Sequence, residues 1–201
     1  MHHTHNLNSK LIAITGGIGA GKSIVSAILA TMGYNVYDCD SRAKQLMNHS
    51  PIIKKKLTSR FGEDVFNADG LLNKELLSSI IFNNTDALAS VNSIVHPVVR
   101  EDISTWHKSR MCPVNFVETA ILAEAGMQMM VDEVWNVTAP VETRIKRVVM
   151  RNNTTAEKVL ERINSQSTSL EMVTTPIKTI VNDGINAVLP QVMSLLSGLQ
   201  Q

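Results

Sequence analysis

At 201 residues, with 44% apolar and 18% charged side chains, the chain is long enough for one main globular domain with smaller insertions, and its composition excludes a disordered chain. Nineteen basic residues against eighteen acidic ones give a net charge of +1, which lacks the basic excess of a general nucleic-acid or membrane-surface binder. Two cysteines, Cys39 and Cys112, make neither a disulfide framework nor a CxxC pair, so reduced thiols in a cytoplasmic protein are expected.

The start "MHHTHNLNSK" has no apolar core of a signal peptide, and no apolar run approaches the length of a membrane span. His2, His3 and His5 are expected to be a disordered start rather than a metal site, because no carboxylate or Cys lies beside them. Lys10–Thr15 is a short apolar run with β-branched residues, expected as a buried strand. A helix is expected from Lys22 to about Met32, with Gly33 as its stop. "YNVYDCD" reads as a second strand ending at Asp38 and Asp40.

From Ser50 to Arg110 the pattern turns helical. Ser50 and Pro51 fit an N-cap and a first helical residue, and Gly62 closes that helix. "NADG" is a turn, and two more helices follow, the second expected to break or kink at Pro97 near His96. Alternation then resumes. Val114–Glu118 and Glu133–Ala139 read as strands, with "ILAEAGMQMM" as a helix between them. Pro140 opens a helix to Arg151, and Thr154 with Glu157 forms a capping box for the next one. Ile177–Val181 is a last strand and Ile185–Leu196 a last helix. The expected fold class is α/β: a three-layer core on a mostly parallel five-stranded sheet of the P-loop NTPase type, with a helical insertion and a helical lid.

"GGIGAGKS" fits G-x-x-x-x-G-K-S/T with Gly16, Gly21, Lys22 and Ser23 in the fixed positions, between an expected strand and an expected helix. Glycines let backbone N–H groups turn inward around phosphate oxygens, and the helix start adds its positive dipole end. Gly17, Ile18, Gly19, Ala20, Gly21, Lys22, Ser23 and Ile24 are therefore the candidate ATP-binding residues. Lys22 would reach the β- and γ-phosphates, and the Ser23 hydroxyl is the candidate ligand for Mg²⁺, the expected cofactor. A GTPase reading fails, because "NKEL" at Asn73 lacks the guanine-reading Asp.

Ligands of an open α/β sheet sit beyond the carboxyl ends of its strands. Asp38 and Asp40 are expected there on one face, with Cys39 alternating away; one of them caps the next helix and the other handles the proton of an attacking hydroxyl. Glu118 ends the third strand, either as an acid facing Mg²⁺ or its waters or as a buried hydrogen-bonded residue. Arg144, Arg147 and Arg151 share one helical ridge, and Arg162 lies on the following helix. Such a hairpin can set arginines onto a transferring phosphoryl group, or else present a solvated charged face.

"ITGGIGAGKS", "DCD" after the second strand, "DGLLNKELL" followed by "IF", "HP" at His96–Pro97, and "RIKRVVMR" followed by "RINSQ" resemble dephospho-CoA kinases in order and spacing, from about Lys10 to Ser197. The resemblance implies ATP-dependent phosphorylation of the ribose 3′-hydroxyl of dephospho-CoA, the last step of coenzyme A synthesis, with ATP and dephospho-CoA as partners. It implies a nucleotide-binding core (8–48, 111–143 and 168–201), a helical CoA-holding domain (49–110) and a lid (144–167). It makes Asp40 the candidate base, sets Lys22 and Arg147 on the phosphates with Arg151 nearby, and puts Thr15, Asp38, Asp40, Lys74, His96 and Glu118 on the substrate side. Departures are Ile24 where Thr is usual, Lys74 where Arg is common, Glu118 in "ETAILAE" where Asp is frequent, and a last segment that keeps only "N-x-G" at Asn182 and Gly184. The competing readings are another small-molecule P-loop kinase, acting on a nucleoside, nucleotide or sugar acid, and a nucleotide-binding regulator without transfer. The retained Lys22 and Asp40 speak against the regulator. A monomer and a homo-oligomer fit the sequence equally.

Overall fold

The computed structural model describes residues 9–82, 84–166, 170–171 and 173–199, so His2, His3 and His5 lie outside the described residues. The chain forms two compact units, one built from the segments up to Tyr37 and from Arg110 onward, the other from Asp38–Ser109.

The first unit is organised on strands β1 (Lys10–Thr15), β2 (Asn35–Asp38), β3 (Val114–Glu118), β4 (Glu133–Thr138) and β5 (Ile177–Val181). They form one sheet in the order β2-β3-β1-β4-β5. β1 pairs parallel with β3 and β4, and β4 pairs parallel with β5. Chain order reverses direction across the sheet at β1, so the carboxyl end of β1 opens at the switch point where α/β proteins hold ligands. Ile12, Ile14, Phe116, Trp135, Val137 and Ile180 project from the sheet onto Val25 and Leu29 of helix α1 (Lys22–Thr31) and onto Val192 and Leu196 of helix α8 (Val188–Gly198). The Phe116 and Trp135 rings lie 5.1 Å apart. Trp135 is fully buried, and truncating such a side chain costs about 3–5 kcal/mol. Leu11 and Ala13, which alternate with Ile12 and Ile14, are buried as well, so β1 is covered on both faces.

The second unit contains α2 (Cys39–His49), α3 (Pro51–Phe61), α4 (Lys74–Ile81) and α5 (Thr85–Ser109). Ser50 caps α3 with Pro51 at its first turn, and Asn73 caps α4. α2, α3 and α4 all pack on α5. Arg42 of α2 grips Asp102 of α5 through Nε and Nη2, each at 2.8 Å. Pro97 lies inside α5 without ending it, contrary to a break at His96. The buried stripe Val91, Val95, Val99 and Ile103 continues across the proline, and that packing outweighs the one lost backbone bond.

Three other expectations are corrected. "ILAEAGMQMM" is a chain of turns ending in a short 3₁₀ segment, Gln128–Met130, rather than a helix. Thr119 Oγ1 accepts from Ile121 N–H, and Gly126 takes φ 63°, so the backbone is turned at both ends before a helix can propagate. The hairpin of α6 (Val141–Asn152) and α7 (Ala156–Ser165) is capped by Thr155, whose hydroxyl accepts from Lys158 N–H, not by Thr154. Helix α8 begins at Val188 instead of Ile185, because the Asp183 carboxylate takes the N–H groups of Ile185 and Asn186 into a local turn.

Candidate active site

Sharp turning of the chain after β1 builds the site. Gly16 has φ 143°, and a Cβ there would overlap the Val137 carbonyl of β4, so only glycine lets the loop leave the sheet so closely. Gly21 caps α1 at φ 102°, which directs the first N–H groups of that helix into the loop. Lys22 Nζ donates to the Gly16 carbonyl at 2.8 Å, closing the loop end to end. Ser23 and Ile24 stand exposed in the first turn of α1, and Thr15 is buried just ahead of the loop.

The α6–α7 hairpin lies on the loop. Arg144 Nε donates to the Ile18 carbonyl at 2.8 Å, and Ile18 N–H donates to Gln166 Oε1 at 2.7 Å. A Cβ on Gly17 would overlap the Arg144 guanidinium. Burial lowers the Arg144 pKa from its ordinary value. Arg147 donates through Nη1 to the Asn182 carbonyl at 3.0 Å, and through Nη2 to Asn182 Oδ1 at 3.2 Å; Nη1 also lies 3.5 Å from the Gly19 carbonyl. Asn182 Nδ2 donates in turn to the Ala20 carbonyl at 2.9 Å. Arg151 bonds to its neighbour Asn152 in the last turn of α6, with Nε at 3.1 Å from Oδ1.

A glycine-rich loop at a helix start, with a lysine and two arginines on it, has the chemistry of a polyphosphate clamp. The comparisons give that clamp a family. The dephospho-CoA kinase family model matches residues 10–187. Dephospho-CoA kinase of Bacteroides fragilis is 39% identical over 191 residues, covering 94% of this chain and 93% of that one. That of Porphyromonas gingivalis is 38% identical, covering 92% of each. The chain belongs to the dephospho-CoA kinase family.

Solved structures agree on the fold. A Thermus thermophilus protein aligns at TM-score 0.76 with 28% identity, covering 96% of each chain. Dephospho-CoA kinase of Campylobacter jejuni aligns at 0.68 with 21% identity, covering 94% of this chain and 96% of that one. Shikimate kinase of Acinetobacter baumannii shares the fold at 0.55 with 13% identity.

Within the first unit, Thr15, the loop from Gly17 to Ile24, Glu118 and Arg147 all lie on or beside the carboxyl-end loops of the sheet. Glu118 closes β3 and is half-buried. Asp38, Asp40, Lys74 and His96 belong to the second unit. There the sequence reading of "DCD" needs correcting. β2 stops at Asp38, and Cys39 already starts α2, so Asp40 rides on the first helical turn instead of alternating along a strand. Asp38 is the cap: its Oδ1 accepts from Asp40 N–H at 3.0 Å and Ser41 N–H at 3.1 Å. Asp40 is exposed. Lys74 opens α4 and is exposed, and His96 is half-buried in α5.

Sequence reasoning missed three groups as site residues: Arg144, Gln166 and Asn182. Arg144 was on the basic ridge but not singled out. Asn182 carried a signal, since a polar residue directly after the apolar strand β5 stands at the same sheet end as the loop. Gln166 carried none, lying 148 positions from its partner Ile18.

Proposed function

We propose that the protein transfers the γ-phosphate of ATP to the ribose 3′-hydroxyl of dephospho-CoA, giving CoA and ADP. The observation that carries this reading is the family match over residues 10–187, which spans the helical second unit as well as the loop. A shared phosphate loop alone would match only the core.

In this reading ATP lays its β- and γ-phosphates against the loop Gly17–Ile24 and the start of α1, and the Ile18 N–H joins them only by giving up its bond to Gln166. Lys22 exchanges the Gly16 carbonyl for phosphate oxygens. Arg147, already at the loop, faces the equatorial oxygens of the transferring group, where charge builds in the transition state. The ribose oxygen forms a bond to the γ-phosphorus, the bond to the β,γ-bridging oxygen breaks, and ADP leaves. Asp40 takes the hydroxyl proton or holds the hydroxyl in line; Asp38 is committed to its cap and so is the lesser candidate. Thr15, Lys74, His96 and Glu118 are assigned to the acceptor side.

Mg²⁺ accompanies the nucleotide in this reading. Ser23 offers a hard hydroxyl oxygen, the donor type that Mg²⁺ prefers, and no group of three His, Cys, Asp or Glu side chains among the described residues could hold a metal. Ser23 would therefore hold it together with the phosphates. When bound, it neutralises charge on the β- and γ-oxygens. No described helix is long and apolar enough to cross a membrane.

The test is ADP release from ATP and Mg²⁺ with dephospho-CoA, beside a panel of nucleosides, nucleotides and sugar acids, with the product weighed by mass spectrometry. Selective turnover of dephospho-CoA with a product one phosphate heavier is expected. Turnover of another acceptor and none of dephospho-CoA would overturn the substrate and leave a small-molecule kinase.

A further inference from the structure

Asn182 is 5% exposed, and its side-chain amide reaches two other site elements, one through the nitrogen and one through the oxygen. Its amide N–H₂ donates to the Ala20 carbonyl of the loop, and its amide oxygen accepts from Arg147 of α6. Its backbone is fixed too: the N–H donates to the Thr138 carbonyl at 2.8 Å, and the carbonyl accepts from Arg147. One residue at the end of β5 thus ties the sheet, the phosphate loop and the lid arginine together. The fit is close enough that a Cβ on Gly21 would overlap the Asn182 amide.

We infer that Asn182 is a positioning residue, which sets the Arg147 guanidinium against the phosphate loop so that both act on one phosphoryl group. The inference rests on the reading that Arg147 faces the transferring phosphate. An arginine on a long flexible stem loses little freedom on reaching the transition state only if its direction is already fixed. Asn is suited to this place because it is both donor and acceptor. The loop carbonyl demands a donor and the guanidinium demands an acceptor. Asp keeps the acceptor for Arg147 but turns a carboxylate oxygen toward the Ala20 carbonyl. Ala keeps neither. The two substitutions therefore separate the arms.

The experiment is a double-mutant cycle of Asn182→Ala and Arg147→Ala, read as kcat with dephospho-CoA and as affinity for a fluorescent ATP analogue. Asn182→Ala is expected to lower kcat about tenfold and affinity about threefold, with thermal midpoints checked alongside. In the Arg147→Ala background the kcat change should shrink below about twofold, because the positioned group is gone, and the affinity change should shrink to the part that the Ala20 bond carries. Changes of equal size in both backgrounds would overturn the inference and leave Asn182 as a loop support only. Asn182→Asp should recover part of the lost kcat while binding the analogue more weakly than wild type. If Asn182→Ala does not fold, this variant decides: a kcat loss as large as that of Arg147→Ala refutes positioning through the amide oxygen. If the wild type fails on dephospho-CoA, the proposed acceptor falls, and the affinity arm of the cycle still decides the role of Asn182.

Discussion

The Lys22 ammonium donates to the Gly16 carbonyl at 2.8 Å, so the charge that should meet ATP is already held at the mouth of the loop. When phosphate arrives, the lysine can trade that carbonyl oxygen for a phosphate oxygen. Lys22→Ala removes that charge from a half-buried position without emptying the core. We expect kcat/KM to fall about 10²–10³-fold, the cost typical of losing one preorganised donor to a reacting centre. Unfolding free energy should change by less than about 2 kcal/mol. Steady-state kinetics and urea unfolding check both, and wild-type turnover in this variant would refute the role of the loop.

Asp38 and Asp40 are two positions apart and do different work. Asp38 holds two N–H groups of α2, so Asp38→Ala should cost about 1 kcal/mol of stability, as for other N-caps. Asp40 accepts none of the cap bonds. Asp40→Asn should leave the unfolding midpoint near wild type and lower kcat far more than ATP affinity. Equal losses of kcat and affinity in Asp40→Asn would make Asp40 a binding or metal-positioning group instead of the proton acceptor.

How much of this could be read beforehand depended on the distance over which each feature is decided. β1, β3 and β5 have the bounds that their short apolar runs predict; five consecutive residues are buried in β1 and three in β3, while β5 keeps its bounds with Ile180 as its buried residue. The loop motif was legible for the same reason, being contiguous. The errors came where one side chain redirected a few backbone bonds: Thr119 and Gly126 after β3, Asp183 ahead of α8, Thr155 in place of Thr154. Periodicity does not register such local competition. The clamp on the loop was less legible still. Asn182 and Ala20 are 162 positions apart, and only the sheet order, which seats β4 between β1 and β5, brings those segments together.

Two glycines with similar backbone demands should respond differently. Gly33, at φ 88°, has nothing within 4 Å of an added Cβ, so Gly33→Ala should cost only the left-handed strain, about 1–2 kcal/mol. Gly16 carries positive φ as well, but its Cβ would overlap the backbone carbonyl of Val137, and a sheet strand cannot move aside as a side-chain tip can. Gly16→Ala should therefore lower stability clearly more than Gly33→Ala and should abolish ATP binding too. Matching unfolding midpoints for the two variants would contradict the close approach of loop and β4.

The turn beside the clamp titrates. Asp183 Oδ1 accepts from Ile185 N–H at 2.9 Å and from Asn186 N–H at 2.8 Å, and Oδ2 accepts from the Asn186 amide at 2.7 Å. These bonds favour the carboxylate and lower its pKa, with the Asn186 N–H the largest cause. The unfolded chain binds its proton first as pH falls, near the ordinary value of about 3.9. The stabilisation is therefore complete above about pH 4 and is lost as pH drops through the lower folded value. Asp183→Asn removes the titrating group while keeping a side-chain oxygen for the turn. The gap in thermal midpoint between wild type and Asp183→Asn should be widest above about pH 5 and should narrow toward pH 2. A gap that stays constant over that range would mean that the Asp183 charge contributes nothing to the turn, and that the Asn186 and Ile185 bonds are held by the backbone alone.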